Sequence, residues 1–170
     1  MKDSEIKSYD DMRSKWILGI PEKERLAFLQ GFADGDGFVS FSNREVAISS
    51  LSNRTFLRDL LRSFGIECRV KPVKVTTNRL KNVIQAARLP LFRHAKSRLK
   101  ALRELSDYAI KRTSSGRQKP SKEAIEMAIR LGGQGLSIGK TVYRIWKVLG
   151  EAITDKAVKK IFRDESGKER

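Results

Sequence analysis

The stretch LQGFADGDG, residues 29–37, sets two carboxylates, Asp34 and Asp36, among glycines. Leu26, Leu29, Phe32 and Ala33 recur at helical spacing, and Pro21 suits a first helical turn, so the pair falls at a helix C-terminus. The macrodipole disfavours negative charge there. An acidic pair in that position is easier to understand with a cation beside it. A hard divalent ion with oxygen ligands fits, Mg2+ first. The plainer reading is that these carboxylates cap turns and solvate a loop. Gly31 and Gly35 are spaced i, i+4, share one helix face, and permit a close helix–helix approach. Other chemistries are excluded within one chain. Cys68 and His94 each occur alone, which removes a disulfide framework, a Cys-based zinc site and clustered His ligands. GGQGLSIGKT imitates a phosphate-binding loop, but its glycine spacing is one residue too long and no strand precedes it, so a connection between helices is expected.

The elements that must position the pair can be read outward from it. Met12, Trp16 and Ile17 predict a short helix before Gly19. After the acidic pair, GFVSFSNREVAISS predicts a hairpin turned at Asn43-Arg44. Asn53 can cap a helix whose stripe is Phe56, Leu57, Leu60, Leu61 and Phe64, with Arg54, Arg58 and Arg62 opposite and Gly65 at its end. A second hairpin is expected from ECRVKPVKV, where Cys68 and Val70 alternate with Arg69 and Lys71. Its turn is expected at TTNRLKN and its return from Val83 to Ala87, while Pro72 favours an edge or a bulge. A long helix from about Leu91 aligns Ala95, Leu99, Leu102, Leu105 and Ala109. KRTSSGRQKPS, residues 111–121, reads as a linker, and three helical patterns follow it. The expected division is a domain over 1–112, a linker over 113–120 and a module over 121–170.

The net charge is +16, from 36 Lys+Arg against 20 Asp+Glu in 170 residues. It is unevenly placed: residues 51–120 carry +14, while residues 1–50 carry −2. That balance favours a polyanionic partner through counterion release, DNA and RNA both remaining open. No apolar run is long enough to cross a bilayer, and MKDSEIKSYDDMR lacks the apolar stretch of a signal peptide. An intracellular protein, cytoplasmic or nucleoid-associated and without a membrane partner, is therefore expected.

LQGFADGDG resembles the LAGLIDADG signature, matching it at Leu29, Gly31, Asp34, Asp36 and Gly37. The preceding IPEKERLAF and the following helix–hairpin–hairpin–helix order are similar to that family over roughly residues 16–110. The resemblance implies an α+β fold, the αββαββα saddle, here with a small three-helix, helix-turn-helix-like module appended. One motif copy implies a homodimer sealed by Leu29, Gly31, Phe32 and Gly35. It implies a Mg2+ site at the seam using Asp36 and the Gly35 backbone carbonyl, with Lys100 as the nearest match to a central basic residue. The implied activity is metal-dependent cutting of a specific double-stranded DNA site. Arg44, Arg69, Lys71, Lys74, Arg79 and Lys81 would contact nucleic acid, joined by Lys156, Lys159, Lys160 and Arg163 of the last helix. Phe38 where a Ser is frequent, Ser49 or Ser50 where a Gln is frequent, and short strands (38–42 and 45–50) are departures. They favour the alternative, a non-catalytic DNA-binding regulator or an RNA-binding, maturase-like factor.

Overall fold

The computed structural model describes residues 15–116 and 118–167. The chain begins with α1 (Lys15–Gly19) and α2 (Glu22–Asp36), then the hairpin β1 (Gly37–Ser40) and β2 (Glu45–Ser49). Met12 lies outside the described residues. Next come α3 (Arg54–Arg62), the hairpin β3 (Arg69–Lys71) and β4 (Lys74–Thr77), α4 (Leu80–Arg88) and α5 (Lys96–Ser114). From α2 to α4 this is the αββαββα order expected from the sequence.

The four strands form one antiparallel sheet in the order β1-β2-β4-β3. Strand alternation gives it two unlike faces. Val46, Ile48 and Val75 point into the core with Leu29, Leu57, Leu60 and Leu102, each at most 4% exposed. Phe38, Ala47, Thr76 and Arg69 stand in register on the opposite face, and Ser49, Lys74 and Lys71 make the next row. In α3 the expected stripe is buried, and Asn53 holds the N-cap position without a side-chain capping bond.

The second hairpin is shorter than expected. Its turn is Pro72-Val73, and Val83–Ala87 belong to α4 instead of a returning strand. The reason is periodic. Leu80, Val83, Ala86 and Ala87 fall on one helical face, and the sheet gains nothing from a fifth run with no alternation. The Asn82 amide, nearly fully buried, donates to Thr77 Oγ1 at 3.0 Å and fixes the strand-to-helix corner. Pro72 closes the turn of an edge strand, as its missing N–H requires. Leu91 and Phe92 are buried in the connection before α5, so that helix starts at Lys96 rather than Leu91.

Beyond the 115–121 connection lie α6 (Lys122–Gly133), α7 (Ile138–Leu149) and α8 (Asp155–Ser166). Ser121 and Thr154 cap α6 and α8, accepting from the Ala124 and Ala157 amides, each at 3.1 Å. Ala124, Ala128, Val142, Ile145 and Val158 fill the space between them. Of the GGQGLS segment, the two leading glycines end α6 and residues 134–137 form the expected helix connection. These three helices share one hydrophobic core with the earlier elements.

Candidate nucleic-acid interface and the end of the motif helix

One face of α2 is core and the other is open. Leu29 and Ala33 are buried, and the Gln30 amide donates to the carbonyls of Leu89 (3.3 Å) and Pro90 (3.0 Å). Leu29 therefore serves the monomer's own interior, a correction to its expected place at a dimer seam. Gly31 and Gly35 are exposed, and a Cβ at either would meet nothing within 4 Å. With Ala27, also exposed, they make a smooth stripe flanked by half-buried Phe32, whose ring meets Phe28 at 5.3 Å.

The two motif aspartates have different surroundings. Asp34 turns toward the start of α5 and accepts the backbone N–H groups of His94 (2.9 Å) and Ala95 (3.1 Å). It acts there as a helix cap for a segment 60 residues away. Arg98 answers from α5: its guanidinium donates to the carbonyls of Asp34 (2.6 Å), Gly35 (3.3 Å) and Ala33 (3.4 Å). A cation thus satisfies the last turn of α2 and opposes its dipole. Gly37 is locked beneath, where a Cβ would stand 2.7 Å from the Phe92 ring. Asp36 is exposed and has no hydrogen-bond or ion-pair partner among the described residues. It borders an open depression edged by Gly31, Phe32, Ser49 and Val73.

Arg98 was not singled out from the sequence, and its signal is a basic residue in the first turn of the helix that Asp34 caps. Lys100, the residue expected beside Asp36, instead lines a groove between α5 and α7 with Trp146 and Lys147. The two do not share a depression. Residues 98 and 100 point to different sides of α5, and the helix phase gives Arg98 the seat at the motif end. The Gly35 carbonyl, expected as a metal ligand, already receives Arg98. No cluster of three or more His, Cys, Asp or Glu occurs among the described residues.

The basic residues divide into free and paired. Arg69 and Lys71 on the edge strand are exposed, with no ion-pair partner among the described residues. Lys74 lies on the same face, but its ammonium is 2.8 Å from Glu45 and 4.9 Å from the centre of the Phe38 ring. Glu45 is nearly buried and also accepts from Thr76 Oγ1 at 2.6 Å. Burial pulls the Glu45 carboxyl upward, but the Lys74 and Thr76 hydrogen bonds and the Lys74 and Lys71 charges outweigh it and hold it below its ordinary value. Arg79 pairs with Glu67, and Lys81 stands 3.6 Å from the same carboxylate. Arg44 corrects the expectation of a sheet-face contact, since it is largely covered and paired with Asp155 at the start of α8. Lys156, Lys159, Lys160 and Arg163 are exposed along α8, with Arg163 3.8 Å from Asp164. Burial pushes the Cys68 thiol, at the root of β3, up to about 11.

Residues 23–103, from the first turn of α2 into α5, match the family model described as a LAGLIDADG-like domain. The chain carries a LAGLIDADG-like domain. The match lies inside the 16–110 span read from the motif, and the mixed α+β architecture with its four-stranded antiparallel sheet agrees with that fold. No curated protein and no solved structure is significantly similar to the chain. The match makes residues 23–103 similar to the LAGLIDADG-like domains and is compatible with a nucleic-acid-binding role. Among the described residues, no helix is long and apolar enough to cross a membrane.

Proposed function

We propose that the protein is a homodimeric, Mg2+-dependent endonuclease that cuts a specific double-stranded DNA site. The observation that supports this reading is the different employment of the two motif aspartates. Asp34 has a structural task in holding the start of α5, whereas Asp36 has none. An exposed carboxylate at a helix C-terminus is disfavoured by the dipole and is rationalised by a cation. The Asp36 carboxylate fits a hard divalent ion, and two copies meeting along Ala27, Gly31 and Gly35 would supply two such carboxylates. Mg2+ held there would contribute Lewis acidity and charge neutralisation to phosphodiester hydrolysis. The chain's own residues bind and orient the duplex. Arg69 and Lys71 meet the backbone or base edges from the sheet, Lys156, Lys159, Lys160 and Arg163 meet it from α8, and Arg98 keeps the motif helix end in place.

Lys74 neutralised by Glu45 and Lys100 remote from Asp36 favour a second reading, a non-catalytic DNA-binding regulator or an RNA-binding, maturase-like factor. Cutting and binding measured together separate the two. Wild type and Asp36→Asn are compared on a duplex library with Mg2+ or Ca2+. The enzyme reading expects the substitution to abolish Mg2+-dependent cleavage and leave affinity equal or slightly higher, because a carboxylate near phosphate is gone. Tight wild-type binding to a defined site with no cleavage in Mg2+ or Mn2+ gives the second reading its place. Gly31→Leu should yield monomer in sedimentation, since it fills the open stripe without touching the core.

A further inference from the structure

The β1–β2 turn is the seat of the C-terminal helices. Phe41 lies between Tyr108 of α5 (ring centres 5.2 Å apart) and Tyr143 of α7 (4.8 Å), and Tyr108 meets Trp146 edge-on at 5.6 Å. The buried Tyr108 hydroxyl donates to the Ile153 carbonyl at 2.8 Å, in the connection that leads into α8. Arg44, the next residue but two after Phe41, pairs with Asp155, the first residue of α8. Its backbone is left-handed, φ +51°, a conformation that a non-glycine residue keeps only where its surroundings hold it. Gly139 in the first turn of α7 packs so close to the same turn that a Cβ would collide with the Ser42 carbonyl oxygen. Lys147 closes the far side, 3.0 Å from Glu104 of α5. Contacts therefore reach α7, the 150–154 connection and the start of α8, with no reliance on the covalent connection at 115–121.

We propose that Phe41 and Arg44 are positioning residues for DNA recognition: they lock α8 in one orientation to the sheet, so that the two basic surfaces engage duplex segments at one fixed spacing. This rests on the DNA-binding reading given above. A tethered module would follow its segment around the helix, whereas a locked one cannot. Inserting about five base pairs, half of a 10–10.5 bp turn, between the two segments moves one to the opposite face of the duplex. Simultaneous engagement is then lost, and with it an avidity gain on the order of a hundredfold or more.

Two measurements on the full chain test this. In the first, a site-specific protease sequence is inserted after Gly116, the folded protein is cut, and the pieces are run on gel filtration. The wild-type pieces should co-elute and the Phe41→Ala pieces should part. In the second, affinity is read on the footprinted duplex with zero, five and ten inserted base pairs between its sheet-side and α8-side segments. Wild type should lose affinity at five and recover part of it at ten. Arg44→Asp should flatten that profile, and adding Asp155→Arg should restore it, which a residue acting by touching phosphate would not allow. The proposal is overturned if the wild-type pieces separate or if the charge-swapped protein stays flat. Duplex binding indifferent to spacing overturns this role alone. Co-eluting pieces with no duplex binding at all refute the DNA reading and this role with it.

Discussion

Replacing Asp34 or Asp36 by Ala should separate a structural carboxylate from a functional one. Asp34 accepts two backbone N–H groups at the start of α5, and its removal leaves both without that partner. Hydrogen bonds to a charged acceptor contribute about 1.5–3 kcal/mol each when well enclosed, and a lost cap costs about 0.5–2 kcal/mol. Water reaches this half-exposed site and replaces part of the loss, so the net for Asp34→Ala is about 1–3 kcal/mol. In a chain of this size each kcal/mol moves Tm by about 2–4 °C, so a fall of roughly 2–12 °C is expected. Asp36→Ala removes only an exposed charge from the unfavourable end of a helix. Its expected effect lies within about 0.5 kcal/mol of zero, or stabilises slightly. Urea unfolding followed by helical circular dichroism reads both differences under one set of conditions. The reasoning fails if Asp36→Ala destabilises as much as Asp34→Ala, because Asp36 would then have a structural task that leaves no need for a cation.

Three further outcomes follow from the interior. Tyr108→Phe keeps the ring contacts but strips the buried Ile153 carbonyl of its donor, and should lower stability by about 1–3 kcal/mol, read in the same urea titration. The Glu45 carboxyl sits below its ordinary value, so its stabilisation is present above the unfolded-state value and is lost as pH falls through the folded one. Thermal stability of wild type should therefore fall more steeply than that of Glu45→Gln on acidification through the carboxylate range. With its thiol pushed up to about 11, chiefly by burial, Cys68 should alkylate with iodoacetamide at pH 8 far more slowly than after denaturation, and equal rates would contradict its enclosure.

The motif, its helix and the first hairpin were legible because their signals are local. Helical spacing ending in LQGFADGDG, a polar turn at Asn43-Arg44 and the Phe56–Phe64 stripe each lie within a few residues of the element they specify. The second hairpin was misjudged because Val83 to Ala87 forms a short apolar run, and such runs do not separate helix from strand by periodicity alone. The helical offsets of Leu80, Val83 and Ala86 prevailed once the sheet had its four strands. The late start of α5 is another tertiary effect. Leu91 and Phe92 continue the apolar pattern, yet they fill the core from an irregular segment whose following amides, at His94 and Ala95, are satisfied by Asp34. No local pattern announces a carboxylate that caps a helix 60 residues downstream.

The same limit governs the charges. Composition establishes a basic field over residues 51–120, and that field steers a polyanion whichever side chains touch it. Which cations remain available is a question of distant partners. Lys74 meets Glu45 across the sheet, Arg79 meets Glu67 across the hairpin, and Arg44 meets Asp155 across 111 residues. Among the described basic residues without an ion pair are several at the margins of the fold: Arg69 and Lys71 on an edge strand, and Lys156, Lys159 and Lys160 on the last helix. Margins have fewer neighbours on which a carboxylate could sit, so a charge there is left to the solvent or to a ligand. A basic residue in a turn, by contrast, is where a second layer of structure comes to rest. Arg69, Lys71 and the α8 lysines are accordingly exposed, whereas the turn residue Arg44 is spent on the joint between the β1–β2 turn and α8.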